Sequence, residues 1–144
     1  MSSLSKSCLT KPSAKRSALM RRVRRKDTAP ELAVRRYLFA AGLRYRLHVT
    51  SLAGTPDMVL KRHNAVVFVH GCFWHGHDCP HGRHPARSNR EFWHSKIAAN
   101  RERDRRKSRA LRNDGWRVFV VWECQVEKTA ALQRLCEKIR RPAR

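Results

Sequence analysis

The chain has few acidic residues for its length. Only 11 of its 144 residues are Asp or Glu, against 33 Lys and Arg, so the formal net charge is +22. This excess is larger than solubility requires and indicates a polyanionic partner. Nucleic acid fits best, because neutralising phosphates releases condensed counterions. A membrane surface fits less well, since no stretch combines Lys and Arg with a sustained apolar face.

Long hydrophobic runs are also missing. No apolar stretch approaches the roughly 18 residues that span a bilayer, and the N-terminus lacks the apolar centre of a secretory signal. Residues 1–26 carry nine Lys or Arg and no acid. We interpret them as a flexible basic arm, followed by one domain over residues 27–144. A mitochondrial transit peptide has a similar composition, but here the Arg run continues without a break into the folded region.

Cysteine is scarce, and its count of five is odd. An odd count argues against a disulfide framework and for a reducing, intracellular setting. Cys72, His77 and Cys79 lie within eight residues and offer the thiolates and imidazole that zinc prefers. Cys124, at the end of a predicted strand, is the best fourth ligand. The lesser candidates are His81 and Cys136. The competing interpretation is a pair of free cysteines near unrelated histidines.

Apolar periodicity predicts the order helix, three strands, helix, strand, helix. The first helix begins at the N-cap Thr28 and ends at Gly42. The remaining predicted elements are strands at 44–49, 58–60 and 65–69, a helix at 91–113, a strand at 116–122 and a helix at 129–139. This order predicts an α/β fold with a mixed central sheet flanked by helices.

Asp57 and His70 should meet at one end of that sheet. Asp57 opens the second predicted strand, and a hairpin would bring it beside Val69 and His70 at the end of the third. A carboxylate with main-chain carbonyls, such as that of Val69, suits Mg²⁺. A histidine beside them, His70 or His75, can deprotonate an attacking water. Glu31 could support that histidine, although a capping box explains Glu31 equally well.

Two large aromatic residues, Phe73 and Trp74, stand among polar residues in a predicted loop. Unstacking a base step costs a few kcal/mol, and a mispair opens more easily than a Watson–Crick pair. An inserted aromatic side chain therefore converts weak pairing into selectivity. Trp93, on the long helix, is as well explained by core packing, and Met20 by packing on a short turn.

Several stretches, taken in order, carry a family resemblance. They are residues 28–31, 56–57, 69–79, 91–93, 115–118 and 121–124. They resemble the very short patch repair (Vsr) endonucleases of bacteria, most specifically through His70-Gly71-Cys72-Phe73-Trp74-His75. The resemblance implies a restriction-endonuclease-like fold with a structural zinc site. It also implies a Mg²⁺-dependent nick on the 5′ side of the thymine in a T:G mismatch, the lesion left by deamination of 5-methylcytosine.

The resemblance also implies roles for individual residues. Asp57 would bind Mg²⁺ with the main chain of Val69, His75 would be the general base, and His70, with Glu31 as its acidic companion, would be a second active-site histidine. The implied zinc ligands are Cys72, His77, Cys79 and Cys124. The implied DNA wedge is Phe73, Trp74 and Trp93, with Met20 from the opposite groove. The implied setting is a cytoplasmic, nucleoid-associated monomer on double-stranded DNA, with mismatch-repair proteins as further partners.

Two positions depart from related patterns. Restriction enzymes commonly carry an acid and a lysine on the third strand, where this chain has apolar residues and His70, so a histidine-based reaction is implied. Val69 replaces the threonine of some relatives, which matters only if the hydroxyl is needed. Two other hypotheses remain: a restriction-type enzyme that cuts both strands of paired DNA, and a zinc-stabilised DNA-binding module without catalysis.

Overall fold

The structure is a computed structural model that describes residues 27–80 and 89–142. The helices are α1 (Ala29–Ala40), α2 (Arg90–Asn113) and α3 (Thr129–Arg140), and the strands are β1 (Arg46–Leu47), β2 (Met58–Leu60), β3 (Ala65–His70) and β4 (Arg117–Trp122). The predicted order of elements is confirmed. The predictions for the basic arm, Met20 and His81 lie outside the described residues.

The four strands form one mixed sheet in the order β1-β2-β3-β4. β1, β2 and β3 are antiparallel to one another, whereas β3 and β4 are parallel, with His70 opposite Trp122. Parallel neighbours end at the same edge of a sheet. The segments that leave β3 and β4 therefore start side by side, although some fifty residues separate them in sequence.

Helices cover both faces of the sheet, as predicted. Alternate residues of β2 and β3 belong to two separate apolar clusters. The cluster with α1 and α3 includes Val34, Leu38, Met58, Leu60, Ala65, Val67, Val121, Leu135, Cys136 and Ile139. The cluster with α2 is formed by Val59, Val66, Phe68 and Leu111. The prediction that Cys136 is a core residue is confirmed, because its side chain is buried in the first cluster.

The ends of α1 follow its sequence signals. The Thr28 hydroxyl accepts a hydrogen bond from the Glu31 N–H at 3.4 Å. At the other end Gly42 has φ +87°, a conformation that glycine adopts without strain. The N–H groups of Gly42 and Leu43 donate to the carbonyls of Phe39 and Leu38, both at 3.0 Å, which is the Schellman arrangement.

Two details differ from the sequence predictions. The predicted strand at 44–49 shrinks to Arg46–Leu47, with Leu47 42% exposed, and His48 at φ +48° turns the chain away from the sheet. The helix predicted at 91–113 begins one residue earlier, at Arg90, after Asn89 in a left-handed conformation that makes no side-chain cap. Within 27–80 and 89–142, no helix has the length and apolar character to cross a bilayer.

Candidate active site and metal centre

The polar groups singled out from the sequence gather where β3 and β4 end. Residues 71–79 leave β3 there, and Cys124 follows β4 in a short 3-10 turn, Glu123–Gln125. Among the residues that the structure describes, three clusters of His, Cys, Asp or Glu have ligand atoms that all lie within 4.8 Å of one another. Two of the three lie in this region, and the third lies at the start of α1.

The first cluster contains Cys72, His77, Cys79 and Cys124. The Cys124 Sγ lies 3.5 Å from the His77 Nδ1, and the Cys124 N–H donates to the Cys72 Sγ at 3.4 Å. The His77 ring stacks on Trp122, with centroids 4.2 Å apart. The structure thus selects Cys124 over Cys136 as the residue that completes the group, because the parallel pairing of β3 with β4 brings it there.

This donor set fits zinc. Bonds of about 2.3 Å to sulfur and about 2.0 Å to nitrogen place tetrahedral donors roughly 3.5–3.8 Å apart, close to the observed Cys124–His77 separation. Burial raises the pKa of the Cys72 thiol to about 12, so its sulfur stays protonated unless a cation offsets the buried charge. Gly76 lets the loop approach α2, because a Cβ there would lie 2.7 Å from the Ile97 side chain.

The second cluster contains His70, His75 and Asp104. The two imidazole rings stack with centroids 3.9 Å apart and planes 3° apart. The His75 Nδ1 lies 2.5 Å from the Asp104 Oδ2. Burial, followed by the charge of His75, lowers the pKa of His70 to about 4. Burial alone would raise the pKa of Asp104, but the hydrogen bond from His75 and nearby positive charges lower it overall.

This geometry favours proton transfer over metal binding. Imidazole binds metals through lone pairs in the ring plane, and two parallel stacked rings direct these lone pairs along parallel planes, not at one ion. The carboxylate is already committed to the His75 Nδ1. That bond leaves the His75 Nε2 as the nitrogen available to accept a proton.

Asp104 was not predicted from the sequence. It lies in α2 among seven Lys and Arg between residues 101 and 112, with Glu102 as the other acid of that run. The available signal was two acids within an otherwise basic stretch of the helix. Only the packing of α2 across the sheet shows that this acid meets His75, since 29 residues separate the two.

Asp57 lies beside Val69 at the end of β3, as predicted. Its charged neighbours are Glu31, His48 and Arg35, not His70 and His75. Its Oδ2 accepts a hydrogen bond from the Val69 N–H at 2.6 Å, because β2 pairs with β3 with Met58 opposite Val67. Burial raises the pKa of Asp57 to about 6. A partly buried carboxylate against main chain, with few compensating donors, is a suitable oxygen ligand for Mg²⁺. The contact uses the main chain of Val69, so the hydroxyl of a threonine at this position would take no part in it.

Glu31 has a different companion from the one expected. Its Oε2 accepts hydrogen bonds from the Asp27 N–H at 3.0 Å and from the Arg35 Nη2 at 3.2 Å. Arg35 also lies 2.7 Å from the Asp27 Oδ1 and 3.1 Å from the His48 Nε2. The third cluster, Asp27, Glu31 and His48, therefore surrounds a guanidinium. Glu31 acts on Asp57, whose pKa its charge raises, and the acid bonded to an active-site histidine is Asp104.

The predicted wedge residues form one aromatic group. Phe73 and Trp74 contact each other edge to face at 5.3 Å, and each contacts Trp93, at 5.5 and 5.7 Å respectively. Phe73 and Trp74 are partly exposed, whereas Trp93 is only 4% exposed. In this arrangement the first two rings can meet DNA directly. Trp93 supports them from below and would have to move to reach a base.

Comparison with known proteins assigns this chain to a family. The sequence model described as DNA mismatch endonuclease Vsr matches residues 9–81. The Vsr mismatch endonuclease of Escherichia coli is 46% identical over 111 residues, which cover 77% of this chain and 70% of that protein. The chain belongs to the Vsr family of DNA mismatch endonucleases. The family resemblance inferred from the motifs is confirmed, and with it DNA endonuclease activity.

Nicking enzymes are among the other relatives. The type II nicking enzyme V.XorIIP of Xanthomonas oryzae is 49% identical over 129 residues, covering 90% of this chain and 94% of that enzyme. The type II nicking enzyme V.NmeAIP of Neisseria meningitidis is 44% identical over 131 residues, covering 88% and 93%. These two matches cover about nine-tenths of this Vsr-family chain.

Proposed function

We propose that this Vsr-family chain nicks DNA on the 5′ side of the thymine in a T:G mismatch, in a reaction that requires Mg²⁺. The observation that carries the proposal is the His75–Asp104 pair, in which His75 stacks on His70. His70 directly follows Val69, whose N–H donates to Asp57. A proton acceptor and an oxygen ligand at one sheet edge are what phosphodiester hydrolysis requires. The mixed sheet with its site at the strand ends also supports a restriction-endonuclease-like fold.

Asp57 and the main chain of Val69 would hold the Mg²⁺. When bound, the ion would supply electrostatic stabilisation of the charge that develops on the phosphate. Zinc would be held by Cys72, His77, Cys79 and Cys124, where it would fix the segment 71–79 without taking part in the reaction. Because His75 lies within that segment, a structural ion there would also hold the proposed general base in place.

His75 is the general base in this proposal. Asp104 holds the Nδ1 proton and orients the ring, so the Nε2 takes the proton of the attacking water. His70, kept neutral by burial, stacks on that ring and limits its rotation without adding a second positive charge. Glu31, backed by Arg35, supports the Asp57 carboxylate from the other side. Asp57 is held by the Val69 main chain, Glu31 by the buried Arg35, and His75 by the partly buried Asp104, as preorganised catalysis requires.

Mismatch selection is assigned to the aromatic group. Phe73 and Trp74 would enter the duplex beside the mispair, where unstacking requires less free energy than at a paired step. Trp93 supports them, and Met20 would enter from the opposite groove. One site per chain is sufficient for a cut in one strand, so we assign a monomer that nicks in preference to a dimer that cuts both strands. Mismatch-repair proteins are its proposed partners.

Cleavage of matched duplexes tests the proposal. A T:G duplex and the corresponding T:A duplex, each labelled on both strands, are incubated with the full chain with and without Mg²⁺. We expect one nick, 5′ to the thymine, in the T:G duplex with Mg²⁺ only. Cleavage of both strands of the paired duplex would support the restriction-type alternative. Mismatch binding without any cleavage under Mg²⁺ would support the binding module.

A further inference from the structure

A cleft of about 700 Å³ extends from the active-site histidines along α2. Its walls include His70 and His75 at one end, Trp122 and the exposed Val120 on the β4 side, and the helix on the other. The helical residues that line it include Arg101, Arg105, Ser108, Arg109 and Arg112. Nothing in the proposed catalytic arrangement uses these four arginines.

The arginines of the cleft occupy one face of α2. Positions 101, 105, 109 and 112 are spaced by three or four residues, which places them on one side of a helix. Arg103 and Arg106 lie on the opposite side and do not line the cleft. Of the two buried residues of the helix, Leu111 packs on the sheet and Trp93 packs on Phe73 and Trp74. The stretch between them presents charge to solvent.

The ion pairs of the helix leave the far end of this face available. Asp104 is engaged by His75, and Glu102 pairs with Arg105 at 3.6 Å and with Arg106 at 3.4 Å. Within the residues that the structure describes, no acidic side chain forms an ion pair with Arg109 or Arg112. Both guanidinium groups are exposed.

We propose that this cleft carries the sugar–phosphate backbone of the nicked strand away from the scissile phosphate. From residue 101 to residue 112 a helix rises about 16 Å. Consecutive phosphates of one strand lie roughly twice as far apart along the backbone as the 3.4 Å that separates them along the duplex axis, so the face matches about two or three of them. Arg109 and Arg112 contact those farthest from the cut. This inference rests on the proposed function, because it places the cleaved phosphate of the DNA at His75.

Salt-dependent binding tests the surface with two matched double variants. Arg109→Gln/Arg112→Gln removes two charges from the cleft, and Arg103→Gln/Arg106→Gln removes two from the opposite face of the same helix. Binding of the T:G duplex without Mg²⁺ is measured over a range of salt. We expect the slope of log Kd against log salt to fall by about two units for the cleft variant. The opposite-face variant should keep the wild-type slope.

A charge-preserving variant and a modified duplex sharpen the test. Arg109→Lys/Arg112→Lys should restore the slope, which a folding defect would not allow. Replacing three phosphates on one side of the cleavage point by uncharged methylphosphonates should weaken the wild type about tenfold or more and the cleft variant about twofold or less. Substitution on the other side should weaken both equally. Equal slopes for the two glutamine variants, or equal sensitivity on both sides, would overturn the cleft assignment.

These measurements separate this inference from the proposed function. The salt slope requires binding alone, so it reports on the cleft even if the protein proves unable to nick. If the wild type nicks T:G DNA and the two double variants have the same slope, the proposed function stands and the cleft assignment fails. If the slopes differ but no nick forms with Mg²⁺, the surface stands and the proposed reaction fails.

Discussion

The two clusters at the end of β3 use the same segment for opposite purposes. Cys72, His77 and Cys79, with Cys124, form a closed group whose donors surround one point. His70 and His75, in the same stretch of chain, stack in parallel and open onto a cleft. Convergent donors suit an ion that stays bound, and parallel rings suit a proton that moves. The difference teaches that ring orientation and access, not residue type, distinguish the proposed zinc site from the proposed reactive site.

The substitution His75→Ala should separate the roles of the two clusters most clearly. Without the proton acceptor, we expect single-turnover nicking of T:G DNA to fall about 10³-fold or more, within the range of general-base contributions. Duplex affinity and zinc content should remain at wild-type values, because neither depends on this ring. Single-turnover cleavage with saturating Mg²⁺ measures the effect, and His94→Ala, at an exposed histidine of α2 outside the clusters, is the control. A drop in zinc content would mean that the clusters are not separable.

Cys72→Ala should instead act by destabilising the folded protein. We expect loss of the bound zinc and destabilisation on the order of 3 kcal/mol, roughly 10 °C in Tm for a chain of this size. Nicking should fall along with it, since the segment carrying His75 loses its anchor. Cys136→Ala removes a buried thiol of the same size from the core and should retain zinc. Thermal unfolding with metal analysis measures both, and retention of zinc by Cys72→Ala would contradict the ligand assignment.

A smaller effect is expected at Asp104, which positions His75 without touching DNA. Asp104→Asn should slow nicking about 10²-fold, because the amide neither favours the productive tautomer nor supports the charged imidazole. Affinity for the T:G duplex should not change. The activity–pH profile should shift together with the rate, which a purely structural defect would not cause. Asp114→Asn, at the exposed end of the same helix, is the matched control and should leave both unchanged.

The mildest expected effect is on stability at Asp57. Burial, with the charge of Glu31, raises the pKa of Asp57 above its unfolded value, while His48 and Arg35 oppose that shift. The ionised carboxylate therefore destabilises the fold as pH rises from about 4 through 6. Asp57→Asn should be more stable by on the order of 1–3 kcal/mol at pH 8 without Mg²⁺, with a smaller difference at pH 5. Urea unfolding at both pH values measures this, and a variant less stable at pH 8 would contradict it.

Local signals in the sequence predicted the parts of the site that rest on sheet register and rare residue types. The hairpin of β2 and β3 placed Asp57 beside Val69, and the scarcity of cysteine singled out the closed cluster. The sequence could not predict Asp104, because its contact with His75 depends on how α2 crosses the sheet. Nor could it predict the role of Arg35, four residues from Glu31, since its bonds to Asp27 and His48 depend on where β1 ends.

The most direct test measures zinc content and nicking on the same preparation of Asp57→Ala. In the proposed function Asp57 belongs to the reactive edge and does not contact the cysteine cluster. We predict one zinc per chain in both the wild type and the variant, equal affinity for the T:G duplex, and Mg²⁺-dependent nicking by the wild type alone. A variant that still nicks, or that has lost its zinc, would contradict the division between the two clusters.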